Sequence, residues 1–259
     1  MYEEQVAKLA KNAPMESYKG LKAKCFLSKY APYPDCEVSD PMHSKDEGVA
    51  PHMLDHWFVS TNHHFEYYLG PQKSRDITVK MKAIKYPRAI KNGAKSMDSY
   101  KFWSAHEFRT LFDHILIYIL KDEWPRHKEI YYNLVKFILY SRLLSQDYVS
   151  DIDNENAQRL INSFVEEFEK IYGTKAMTHN LHTQLHMPMQ VRKHAPFHKC
   201  NCYPFEAIFK ICRQCIFGSR YTALQIATGI TTRMTIRKYL PLTLLNNIQD
   251  HRLKGIAYK

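Results

Sequence analysis

At 259 residues the chain has room for one large domain or two small ones with ample core, and 45% hydrophobic with 24% charged content is that of a globular protein. Eight glycines against 18 tyrosines and 13 phenylalanines exclude a disordered chain. Six cysteines beside so much core exclude a disulfide scaffold and favour a reducing intracellular compartment, nuclear or cytoplasmic.

The N-terminal MYEEQVAKLAKNAP lacks the apolar centre of a secretory signal, so secretion is not expected. Residues 1–35 end in the turn chemistry of APYPDC. A short extended piece, CEVSD, carries Asp40 at its end, and Pro41 is expected to direct the exit away from helix. DEGVAPHMLDHWF reads as a short helix whose start Pro51 limits. Residues 70–99 form a basic connector broken by Pro71, Pro87 and Gly93.

Three stronger helices follow. Trp103, Phe108, Leu111, Phe112, Ile115, Leu116, Ile119 and Leu120 recur at three- and four-residue steps, which predicts an amphipathic helix over 103–121, broken by Pro125. Its most apolar run, ILIYIL, is too short to span a bilayer, so no membrane insertion is expected. Ile130, Leu134, Phe137, Ile138 and the Leu143–Leu144 pair mark a second helix. A third has the face Leu160, Ile161, Phe164, Phe168 and Ile171, with capping residues at Asp151 to Asn154 and Gly173 as C-cap. Short connections make the three an antiparallel bundle. A last strong helix begins near YPFEAIFKICRQCIFG, with Pro204 in its first turn and Gly218 at its end; one or two short helices and a basic tail complete the chain.

The net charge of +11 is unevenly placed. From Met187 to Lys259 there are twelve Lys/Arg and two acids, Glu206 and Asp250; from Ile77 to Met97, Lys80, Lys82, Lys85, Arg88, Lys91 and Lys95 meet no acid. Two basic segments flanking an acidic helical block suggest a polyanion-binding surface, most simply for DNA, contributed by those six residues and by Arg192, Lys193, Lys199, Lys210, Arg213 and Arg220. The bland reading is a solvated basic face.

Glu206 is the only acid in the 63 residues from Met187 to Gln249, and it sits at the start of an apolar helix. It is either a carboxylate favouring the helix dipole or a metal ligand within a DNA-binding surface. Asp40, with His43 three residues on, reads either as an Asx-type cap or as a ligand for Mg²⁺ or Mn²⁺ beside an imidazole. His194, His198, Cys200, Cys202, Cys212 and Cys215 offer a candidate zinc set, though Cys212 and Cys215 at i, i+3 also suit plain helical packing. His179, His182 and His186 fall near one helical face, suiting a metal or, preferably, hydrogen bonds.

The order of these pieces resembles transposon-encoded proteins of the CACTA (En/Spm) type. SDPMHSKDEGV is similar to that family's D-x-M-H…G-V segment, and FWSAHEFRTLFDHILIYIL to its tryptophan-bearing helix. The run FVEEFEKIYGTKAMTHNLHTQLHMPMQVRKHAPFHKCNCYPFEAIFK resembles the F…YG…MTYNVH…LLHL…FPFE block, and GSRYTALQIA its continuation. The resemblance covers about Tyr18 to Ala227.

It implies a cut-and-paste DNA transposase of the RNase H-like type, with three acids and two divalent ions, oligomer formation being compatible with it. Asp40 and Glu206, 166 residues apart, match the second aspartate and the final glutamate around a helical insertion, and His43 matches the histidine of D-x-x-H. The first aspartate has no counterpart: no Asp precedes Asp35. A fragment or degenerate copy is therefore expected. Its fold is mainly α, an insertion-like helical bundle packed with a truncated RNase H-like α/β remnant. The expected parts are 1–69 (remnant), 70–99 (connector), 100–186 (bundle) and 187–259 (basic helical region with Glu206). The alternatives are a non-catalytic DNA- or chromatin-binding module, with or without structural zinc, and a helical protein-interaction domain.

Overall fold

The computed structural model describes residues 38–86 and 95–239, together with Tyr30. Among them every regular element is helical and no strand occurs. None of these helices is long and apolar enough to cross a membrane. The chain divides into two compact units, Met1–Asn201 and Cys202–Lys259.

In the first unit, irregular residues 38–40 lead to a π-helical segment, Met42–Val49, running directly into α1, Ala50–Phe58. Both prolines behave differently from expectation. Pro41 stands in the helical region at φ −67°, ψ −24° and starts the helix, because its missing N–H is one the first turn leaves unpaired anyway. Pro51 lies inside one continuous helical run. The wide turn before it, in which the Ala50 N–H reaches the Lys45 carbonyl, accommodates a residue with no N–H of its own.

The expected connector is helical over much of its length. Pro71 begins α2, Gly70–Ala83, which buries Ser74, Ile77, Thr78 and Met81 in spite of its lysines. Pro87 and Gly93 lie outside the described residues, as do most of 1–37 and the tail 240–259.

The first bundle helix is built in pieces: α3 (Ala105–Thr110), a π-helical segment (Leu111–Ile115) and α4 (Leu116–Ile119). It starts on a capping box, in which Glu107 accepts from the Ser104 N–H and the Ser104 hydroxyl at 2.8 and 3.0 Å. Helices α5 (Lys128–Leu144) and α6 (Asp151–Tyr172) follow the predicted stripes. Ser150, rather than the acids after it, caps α6 by accepting the Asp153 N–H at 3.1 Å. Gly173 at φ +84° ends it, a conformation that costs other residues more.

The three run antiparallel. Asn133 donates to the Phe164 carbonyl and Lys136 to the Ser163 hydroxyl, both at 2.9 Å, so later residues of α5 meet earlier ones of α6. Tyr131 and Ser141 likewise reach Ile117 and Asp113 in descending order. Phe112, Phe137 and Phe164 form the aromatic spine, with ring centroids 6.1 and 4.9 Å apart. Each such buried ring stabilises the fold by roughly 1.5–3 kcal/mol. All three tryptophans, Trp57, Trp103 and Trp124, are buried in this core, Trp57 donating to the Tyr172 hydroxyl at 2.8 Å. Short helices α7 (His179–Gln184) and α8 (Met187–Lys193) close it, burying Leu181, Met187 and Val191.

The second unit comprises α9 (Tyr203–Gln214) and α10 (Thr222–Tyr239). They cross where buried Cys215 lies against Gly229, a contact that leaves no room for a β-carbon on the glycine. Gln225 staples the intervening loop: it accepts the Phe217 N–H at 2.6 Å and donates to the carbonyls of Gly218 and Arg220 at 3.2 and 2.6 Å. Those bonds hold Tyr221 at φ +54°.

Candidate functional site

Asp40 and His43 come together in the structure. The Asp40 carboxylate accepts the backbone N–H groups of Met42 and His43 at 3.2 and 3.1 Å, and its Oδ2 lies 2.5 Å from His43 Nδ1. Asp40 therefore caps the helix and orients an imidazole at the same time. The pair faces solvent, with the His43 side chain 54% exposed and that of Asp40 17%. Such a dyad offers one carboxylate to a hard cation and one imidazole nitrogen to a proton or a ligand.

Segments from much later in the chain hold this turn. Ser39 donates its N–H to Gln190 of α8 at 3.1 Å. Gly48 lies under Asn180 of α7: a β-carbon there would come within 2.5 Å of the Asn180 amide nitrogen and 2.9 Å of its Cβ. Gly48→Ala is accordingly expected to destabilise the first unit by roughly 1–3 kcal/mol, read as a lower midpoint in urea unfolding. An unchanged midpoint would show that α7 yields.

Beneath the turn lies a buried ionic cluster. Lys45 pairs with Asp46 and, at 3.5 Å, with Asp113 of the other π-helical segment, all three nearly inaccessible to solvent. Asp113 also accepts from Ser141 at 3.1 Å and lies 3.6 Å from Arg109, while Arg142 donates to its backbone carbonyl at 3.0 Å. Burial works against the charge of Lys45, but Asp113 and Asp46 outweigh it and hold its pKa above the ordinary lysine value. The two π-helical turns thus meet through one ion network, a link that spacing along the chain does not encode.

A second cluster lies one turn further on. His56 stacks on Tyr172 at 4.6 Å and is edged by His52 and Tyr67 at 4.7 and 5.5 Å. Both its ring nitrogens are buried without a hydrogen-bond partner. Burial first, then the neighbouring His52, pushes its pKa down to about 4, against a smaller opposing effect of Asp55. His52 instead bonds the Ala176 carbonyl at 2.8 Å. The i, i+4 spacing of the two histidines is visible in sequence, but their aromatic surroundings are not.

Glu206 belongs to the second unit, in the exposed first turn of α9. In the first unit His194, His198 and Cys200 do not converge to ligand distance, and in the second neither do Cys202, Cys212 and Cys215. Cys215 is a packing residue whose thiol donates to the Ile211 carbonyl at 3.3 Å. Burial pushes the Cys200 thiol up.

Several of the basic residues are paired with acids. Lys80 pairs with Glu123 at 2.9 Å, Lys95 with Glu107 at 2.6 Å and Arg192 with Asp151 at 2.8 Å, so acids from the helical block neutralise them. Lys82, Lys85, Lys193 and Lys199 are exposed in the first unit, as are Lys210, Arg213 and Arg220 in the second. Arg88 and Lys91 lie outside the described residues. No protein-family model, curated protein or solved structure matches the chain.

Proposed function

We propose that the chain derives from a CACTA-like DDE transposase, with DNA as the ancestral polyanion. In this reading Asp40 and Glu206 are the second and third metal-binding acids, and His43 is the partner of Asp40. The observation that supports it is the convergence around the Asp40 turn. Gly48 of the D-x-M-H…G-V segment meets Asn180, Ser39 meets Gln190, and Lys45 meets Asp113, which joins all three resembling segments of the first unit. The RNase H-like remnant is part of the same proposal, with the helical bundle as its insertion.

The donor set does not fit a pair of Mg²⁺ or Mn²⁺ ions. Two-metal phosphoryl transfer clamps both oxygens of the reacting phosphate and takes three acids in this family, of which the resemblance assigns two here, Asp40 and Glu206. The purified chain is expected to bind duplex DNA but neither cut nor join it in Mg²⁺. Strand transfer that disappears on Glu206→Ala would overturn this.

A second reading, a DNA- or chromatin-binding module without catalysis, is favoured by the exposed Lys210, Arg213 and Arg220 around α9. Both readings expect affinity to fall steeply with salt. A flat dependence would favour a helical protein-interaction domain, for which α9 offers exposed Phe205, Ile208 and Phe209.

A further inference from the structure

His182 stands in the last turn of α7 and His186 caps α8, so the two straddle the break between these short helices. Both are exposed. Their rings meet edge to face with centroids 5.0 Å apart, and their Nε2 atoms lie 3.3 Å from each other. As a hydrogen bond that separation is long. It coincides, however, with the spacing of two ligands on one zinc ion: nitrogens ~2.0–2.1 Å from a tetrahedral centre stand about 3.3–3.4 Å apart. The two tips already lie at chelate spacing.

We propose that His182 and His186 form a solvent-facing chelate for a borderline transition metal such as zinc, with water in the open positions. Imidazole nitrogens select such an ion over Mg²⁺, which takes oxygen ligands. No third described His, Cys, Asp or Glu joins the pair at ligand distance, so the site is open and exchangeable rather than a closed structural centre. A bound ion ties the end of α7 to the start of α8. Since α8 carries Gln190, which holds Ser39, it also stiffens the support of the Asp40 turn. The inference stands on this geometry alone, whatever becomes of the transposase reading.

The test is a zinc titration of the full chain by competition with a chromophoric chelator. The variants are His182→Gln, His186→Gln and, as control, His179→Gln one turn earlier. Loss of either ligand is expected to weaken the tightest zinc step at least about tenfold, the scale on which metal sites respond even to loss of supporting groups. His179→Gln should leave that step unchanged, and zinc should raise the Tm of the unaltered chain. Equal affinity in all four proteins, or an equal loss in the control, overturns the proposal. Histidine ring NMR of the unaltered chain guards against misfolded variants: the signals of His182 and His186 should move first, and first movement elsewhere is an equally negative result.

Discussion

Lys45→Met is expected to destabilise the first unit by roughly 3–5 kcal/mol, because it leaves the carboxylates of Asp46 and Asp113 buried without the cation between them. The loss should fall toward the lower end of that range, since Arg109 stays 3.6 Å from Asp113. Urea unfolding at neutral pH measures it. The triple change Lys45→Met, Asp46→Leu, Asp113→Leu removes both signs together and should recover most of the stability, as buried ion networks replaced by apolar groups commonly do. If the single variant is as stable as the unaltered chain, the cluster is better hydrated than its burial implies, and the two π-helical turns are held by apolar packing instead.

Acid should weaken the first unit through His56. Its folded-state pKa, about 4, lies below the ordinary value of 6.5, so the unfolded chain takes up this proton first as pH falls. The contribution is complete above about pH 6.5, declines through that interval and is gone below about pH 4. Its size is on the order of 2–3 kcal/mol after allowing for partial exposure of the ring. His56→Phe keeps the stack on Tyr172 while removing the titration. Subtracting the stability–pH curves of the two proteins isolates the residue from His114 and His186, whose pKa values burial also lowers. A difference curve that is flat between pH 4 and 6.5 would rule the mechanism out.

Periodicity made the long helices legible. Phe137 and Phe164 fall on the buried faces of α5 and α6, and Gly173 ends α6 as its type suggests, since these depend on local spacing and backbone freedom. Proline was the weaker guide. Pro41 and Pro71 read as interruptions, yet both open helices, because the same missing N–H that breaks an interior turn costs nothing in a first turn. The two π-helical segments were not legible, because over five to eight residues apolar spacing alone does not tell an i→i−5 bond from an i→i−4 one.

The candidate site divides the same way. Contact between Asp40 and His43 follows from three-residue spacing at a helix start, whereas Gln190, Asn180 and Asp113 reach that turn only through the tertiary fold. Counting charge along the chain overstated the basic surface. Lys80 and Lys95 lie in the acid-free run from Ile77 to Met97, but Glu123 and Glu107 arrive from the helical block.

The burial of every tryptophan in one unit gives the molecule a built-in optical label. Trp57, Trp103 and Trp124 all precede residue 202, so indole emission follows melting of the first unit and is silent on the second, while the far-ultraviolet helical signal sums over both. Recording the two signals during a single thermal ramp therefore separates the Asp40 unit from the Glu206 unit without cutting the chain. Coincident curves would mean that the halves melt as one cooperative body.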